Sequence, residues 1–166
     1  MSEGSVYHTN IIGIRKGEKG SPGELSGVIE YSSERRIGSI TENTPLGIRG
    51  VLDGNLDNLE PGISYEICYK QDIKTGPAYI ISSVSGETKQ YEITIESLDY
   101  SGVEENKGIL FRVTDEELLA LTGGIVQGMS GSPIIQDGKL IGAVTHVFVS
   151  DASMGYGIFI EKMLGD

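Results

Sequence analysis

Glycine punctuates this chain too densely for a helical protein: 24 of its 166 residues are glycine, many at turn-like spacing. In a helix interior each glycine costs roughly 1 kcal/mol relative to alanine, whereas in a tight turn its tolerance of positive φ is an advantage. Short strands joined by tight turns meet that pattern, so an all-β fold is expected. The length suits one domain, or two small barrels packed as one unit, with ample core.

The clearest strand is 89–98, where apolar and polar residues alternate with period two. Further strands are expected at 5–15, 25–31, 48–52, 63–69, 78–82, 109–113, 141–149 and 157–160, with an exposed loop at 16–24, a more irregular region beginning at 37–40 and a polar loop around 150–155. A turn is expected at 43–47. The alternating segment 63–69 contains Cys68, the single cysteine, which excludes an intramolecular disulfide and reads as a small buried hydrophobe. One helix is predicted, over 115–121. Thr114 and Glu117 have capping-box spacing, Asp115, Glu116 and Glu117 suit a helix N-terminus, and Gly123 supplies a stop.

Directly after that helix comes Gly128-Met129-Ser130-Gly131-Ser132-Pro133. A serine in a Gly-x-Ser-Gly-x-Pro turn is how chymotrypsin-like peptidases present their nucleophile. The flanking glycines turn the backbone tightly and bring amides beside the hydroxyl, and the expected oxyanion donors are the N–H groups of Gly128 and Ser130. Two apolar runs around Asp137-Gly138 follow and predict a β-hairpin leaving the turn. Ser132, past the turn and before Pro133, is the weaker nucleophile candidate.

Net charge of −11 disfavours nucleic acid and anionic lipid, both of which need a basic surface. Cys and His pairs at metal-ligand spacing are missing, so neither a metal nor a cofactor is expected. No apolar run has transmembrane length, and residues 1–5 lack the features of a signal peptide; the chain as written reads as carrying no address.

The segment 122–135, continued by 142–149, closely resembles the stage IV sporulation protein B (SpoIVB) serine peptidase family, and 20–24, 32–35 and 155–161 are similar too. The resemblance implies a chymotrypsin/trypsin-like double β-barrel and an endopeptidase of restricted specificity. It places intact members between the two forespore membranes, where they cut a regulatory subunit or another protease and so signal in sporulation. Intact members also have an N-terminal membrane anchor and a PDZ domain, neither of which matches here. Carried over by position, Ser130 is the nucleophile and Asp115, fifteen residues ahead of it, is the acid. The family histidine lies in a Gly-His segment that this chain does not contain, upstream of the region where it begins. The expectation is a single domain over 1–166, truncated at its N-terminus. Residues 1–105 would form a partial first barrel and connecting strands, and 106–166 the nucleophile-bearing part.

Serine needs a base to take its proton, and the chain offers His8 and His146 alone. His8 has too little chain ahead of it for the strands that normally precede the base. His146 follows the hairpin, where it reads as structural or as lining the substrate groove with Thr145 and Val147. Thr145 sits where the superfamily places a hydroxyl near the acid, and a plain strand threonine is the other reading. Asp115 likewise has two, a helix-terminal acid and the triad acid, which can coexist. Three functions stay open: a serine endopeptidase that is inactive as this isolated chain, a non-catalytic peptide-binding module on a peptidase fold, and a plain all-β adaptor. Weak self-association through an exposed strand edge is also expected.

Overall fold

Alternation in 89–98 has a direct structural reading: Tyr91, Ile93 and Ile95 are each 1% exposed, while their neighbours face outward. A computed structural model describes residues 4–57, 59 and 62–165, and in it this segment is β8, Lys89–Leu98. It pairs antiparallel with β7 (Gly76–Ser82) on one side and β9 (Ile109–Val113) on the other. β12 (Met154–Phe159), β11 (Lys139–Val147) and β10 (Pro133–Gln136) continue the sheet, and β10 pairs back onto β7. The result is a closed barrel of six strands, so none of the six is left with a free edge along its whole length. Ile80, Ile93, Ile109, Phe111, Ile134 and Ile141 are fully buried in its core.

The hairpin between β10 and β11 is the one expected from Asp137-Gly138. Both residues have positive φ, 50° and 76°, the signature of a type I′ turn whose twist matches the flanking strands. The helix before the nucleophile turn is α1, Glu116–Thr122, capped by Asp115 and not by Thr114. A second short helix, α2 (Ile160–Leu164), closes the chain where the sequence reading ended on a strand.

Before the barrel the chain is more open. β1 (Gly4–Tyr7), β4 (Arg36–Thr44) and β5 (Gly47–Val51) form a three-stranded sheet, and β2 (Thr9–Arg15) with β3 (Glu24–Ile29) forms a separate ribbon. The expected strand 5–15 therefore breaks at His8, whose amide donates to the Arg35 carbonyl at 2.8 Å; β1 and β2 then join different partners. Every buried apolar residue among those described lies at Ile73 or beyond, while Ile12, Tyr31, Ile48 and Leu52 are more than half exposed. Among the described residues, the strands before Ile73 close no barrel.

Two boundaries differ from the reading above. The barrel begins at Gly76, so β7 and β8 belong with the nucleophile and the division near 105 runs through the barrel. Segment 63–69 yields only β6 (Glu66–Ile67), a parallel appendage to β11. Cys68 is half-buried there rather than fully, and its desolvation pushes the thiol upward from its ordinary pKa.

Candidate active site

The nucleophile turn is built between two anchors. On the N-terminal side α1 ends at Gly123, whose left-handed φ of 77° lets its amide donate to Leu119. The Ile125 amide then donates to the Ala152 carbonyl at 2.8 Å, and the Ile125, Val126 and Met129 side chains are buried at 2%, 2% and 1% exposure. On the C-terminal side the Gly131 amide donates to Val144 at 2.8 Å, and the Val144 amide returns a bond to Ser132 at 2.9 Å. Ser130 projects from between these anchors and is exposed.

The amides of 127–132 divide into two sets. Those of Gln127, Met129, Gly131 and Ser132 donate to the carbonyls of Gly23, Val126, Val144 and Met129. Those of Gly128 and Ser130 meet no acceptor among the described residues. Backbone donors seldom stay unpaired without access to water or a ligand. Of these two, one belongs to the exposed serine itself and the other to the residue two places before it, and free amides of this kind are able to donate to an anionic oxygen. Gly128 reaches it with φ at 102°, a value side-chain-bearing residues rarely adopt.

Ser130 Oγ donates to the Thr145 carbonyl at 3.1 Å. Thr145 lies at a bulge in the β11–β12 pairing, between Val144 and His146. Its own hydroxyl faces the carbonyls of Asn106 at 2.6 Å and Tyr156 at 3.1 Å, and so secures β11 rather than any acid. His146 is exposed and registers opposite Tyr156, with Val147 opposite Gly155. Neither histidine hydrogen-bonds Ser130: His8 Nδ1 lies 3.4 Å from an Arg35 nitrogen in the N-terminal half.

Asp115 is not brought into contact with Ser130. One carboxylate oxygen accepts from the Leu118 amide at 2.8 Å, the other from the Glu92 amide at 3.2 Å. The side chain borders a cleft of about 760 Å³ shared with Tyr79, Gln90, Ile135 and Asp137, which Ser130 does not line. Ser132 uses both its amide and its carbonyl in the turn.

Two parts of the site escaped the sequence reading. Phe148 and Tyr156 stack at 4.9 Å beside His146, with Lys107 Nζ 5.5 Å from the Tyr156 ring centre. The signal for Phe148 was present, since it follows His146 by two residues, just past the end of β11. The other part is the contact of β3 with the turn, which joins residues a hundred positions apart and leaves no local trace.

A comparison with family models matches residues 1–164 to the SpoIVB peptidase S55 model. A comparison with curated proteins finds no match. The match takes in the barrel and the glycine-flanked serine turn, and by it this chain belongs to the SpoIVB peptidase S55 family.

Proposed function

We propose that this chain is a serine endopeptidase domain in which Ser130 attacks the scissile carbonyl to form an acyl-enzyme. The observation that carries the reading is the pair of unpaired amides, that of the exposed serine itself and that of Gly128 two residues before it. Placed there, they stabilise the negative charge that develops on the carbonyl oxygen, a contribution of about 3 kcal/mol per donor. A substrate laid along 145–147 of β11 would pair with its backbone as an added strand, with His146 beside it. Asp115 enters as the acid that the resemblance assigns. Its carboxylate is held by two amides, as an orienting acid must be, and in this structure it bears on α1.

A histidine in hydrogen-bond reach of Ser130 is what the site lacks, so the isolated chain is proposed to turn over slowly or not at all. By family resemblance the substrate is a regulatory protein of sporulation signalling, cut between the forespore membranes. Among the described residues no helix is long and apolar enough to cross a membrane. The bond from Ser130 Oγ to a carbonyl, rather than to a base, favours one second reading: a module that holds a peptide strand without cutting it.

Fluorophosphonate labelling separates the two. The enzyme reading expects slow modification at Ser130, accelerated by added imidazole and abolished in Ser130→Ala. A chain that binds peptide but whose Ser130 stays unlabelled at any imidazole concentration is a binding module.

A further inference from the structure

The remaining support of the nucleophile turn comes from the far end of the sequence. Glu24 and Gln127 form a parallel bridge: the Gln127 amide donates to the Gly23 carbonyl at 2.9 Å, and the Leu25 amide donates to the Gln127 carbonyl at 2.8 Å. That second bond bears on the oxyanion site through covalent geometry. The Gln127 carbonyl and the Gly128 N–H belong to one planar trans peptide and point in opposite directions. With the carbonyl held towards Leu25, the Gly128 N–H is turned away from the ribbon. Flipping this peptide would put a carbonyl oxygen where a donor is needed.

Packing reinforces the hydrogen bond. A Cβ on Gly128 would meet Leu25 Cβ at 3.0 Å and Cγ at 3.2 Å, so the leucine lies directly over the turn. Gly23 is buried, and a Cβ there would meet Val126 Cγ1 at 2.6 Å, a separation that admits only glycine without a shift. The preceding loop is tied down as well. Gly17 donates to Thr122 at 2.8 Å, Gly20 to Val149 at 2.9 Å, and Lys16 Nζ to the Ala120 carbonyl at the end of α1.

We propose that segment 23–25 is a peptide lock: its positioning residues hold the Gln127–Gly128 peptide in the orientation that aims the Gly128 N–H at the oxyanion. The proposal rests on Ser130 being the nucleophile. It makes the reactivity of a serine in the turn before β10 depend on a ribbon outside the barrel, so whatever displaces the β2–β3 ribbon switches the site off.

Leu25→Pro deletes the one donor and leaves β3 paired, because the Leu25 N–H faces Gln127 and not β2. Leu25→Ala keeps the donor and trims the side chain. In the full chain, fluorophosphonate labelling of Ser130 is expected to slow at least tenfold in L25P and by less in L25A. The Gly128 and Ser130 amide resonances should move in L25P while barrel resonances stay in place. Equal labelling rates in the two variants, or unmoved Gly128 and Ser130 resonances, would overturn the lock. Should L25P not fold, amide exchange of the unsubstituted chain decides: protection at Leu25 matching that of the barrel supports the lock, and free exchange there overturns it. If the unsubstituted chain never labels, the nucleophile reading falls by itself, and the amide resonances still judge the lock.

Discussion

Replacing Asp115 with alanine removes two acceptors at once, and their positions allow the cost to be worked out. The first, for the Leu118 amide at 2.8 Å, is a helix N-cap and contributes about 1 kcal/mol. The second, for the Glu92 amide at 3.2 Å, ties α1 to β8 at a half-exposed position and adds roughly 1 kcal/mol more. D115A should therefore lose about 2 kcal/mol, lowering Tm by roughly 4–8 °C for a chain of this size. Asparagine caps nearly as well but surrenders the charge at the helix N-terminus, so D115N should lose about 1 kcal/mol or less. Urea unfolding with Cm and m fitted for each variant measures both. D115A within 0.5 kcal/mol of the unsubstituted chain, or D115N as damaged as D115A, would refute the capping account. Capping alone also leaves the labelling rate of Ser130 in D115N unchanged; a drop there without a matching loss of stability marks Asp115 as part of the reactive machinery.

Other expectations follow from single groups. The Tyr91 hydroxyl is buried with no partner among the described residues, so Tyr91→Phe should leave stability unchanged or raise it by about 1 kcal/mol; a clear loss in thermal unfolding would show a partner that the geometry does not. Asp151 is held below the ordinary carboxylate value of 3.8 by the Ser153 hydroxyl, aided by the Arg112 guanidinium. A depressed carboxylate stabilises the fold above its unfolded value and loses that contribution as pH falls through the folded one. Stability should therefore fall as pH drops below about 4, and D151N, which lacks this contribution at every pH, should be less stable than the unsubstituted chain at pH 7 and lose less between pH 7 and pH 2; a pH profile indifferent to that substitution would contradict it. Exposed Ile12, Tyr31, Ile48 and Leu52 on the N-terminal sheet and ribbon should give weak self-association, visible in sedimentation at high concentration and refuted by a strictly monomeric profile.

The barrel was legible where one face of a strand meets the core and the other meets water. Residues 89–98 and 109–113 follow that rule, and their bounds agree with the sequence reading. Segment 63–69 alternates just as regularly yet keeps only two strand residues, because Ile63 and Tyr69 stay exposed with no layer to cover them. Periodicity reports that a strand has two faces and is silent on whether a neighbour exists. The helix cap missed by one residue for a related reason. Thr114, Asp115 and Glu116 are consecutive, and which side chain reaches the free amides depends on how β9 delivers the chain to α1.

At the site the turn itself was readable and its partners were not. Six consecutive residues specify a glycine-flanked serine, and in the structure the Gly128 and Ser130 amides meet no acceptor among the described residues. Asp115 and His146 are near Ser130 in sequence, yet one caps a helix beside a separate cleft and the other faces outward opposite Tyr156. Linear spacing does not carry the direction in which a barrel strand turns its side chains.

The claim that Ser130 and its two amides form a reactive oxyanion site is tested most directly by a crystal structure of the phosphonylated protein. The account predicts a phosphonyl group on Ser130 Oγ, with one oxygen about 2.7–3.1 Å from both the Gly128 and Ser130 nitrogens. An adduct on another residue, or a phosphonyl oxygen pointing into solvent with those amides turned away, would contradict it.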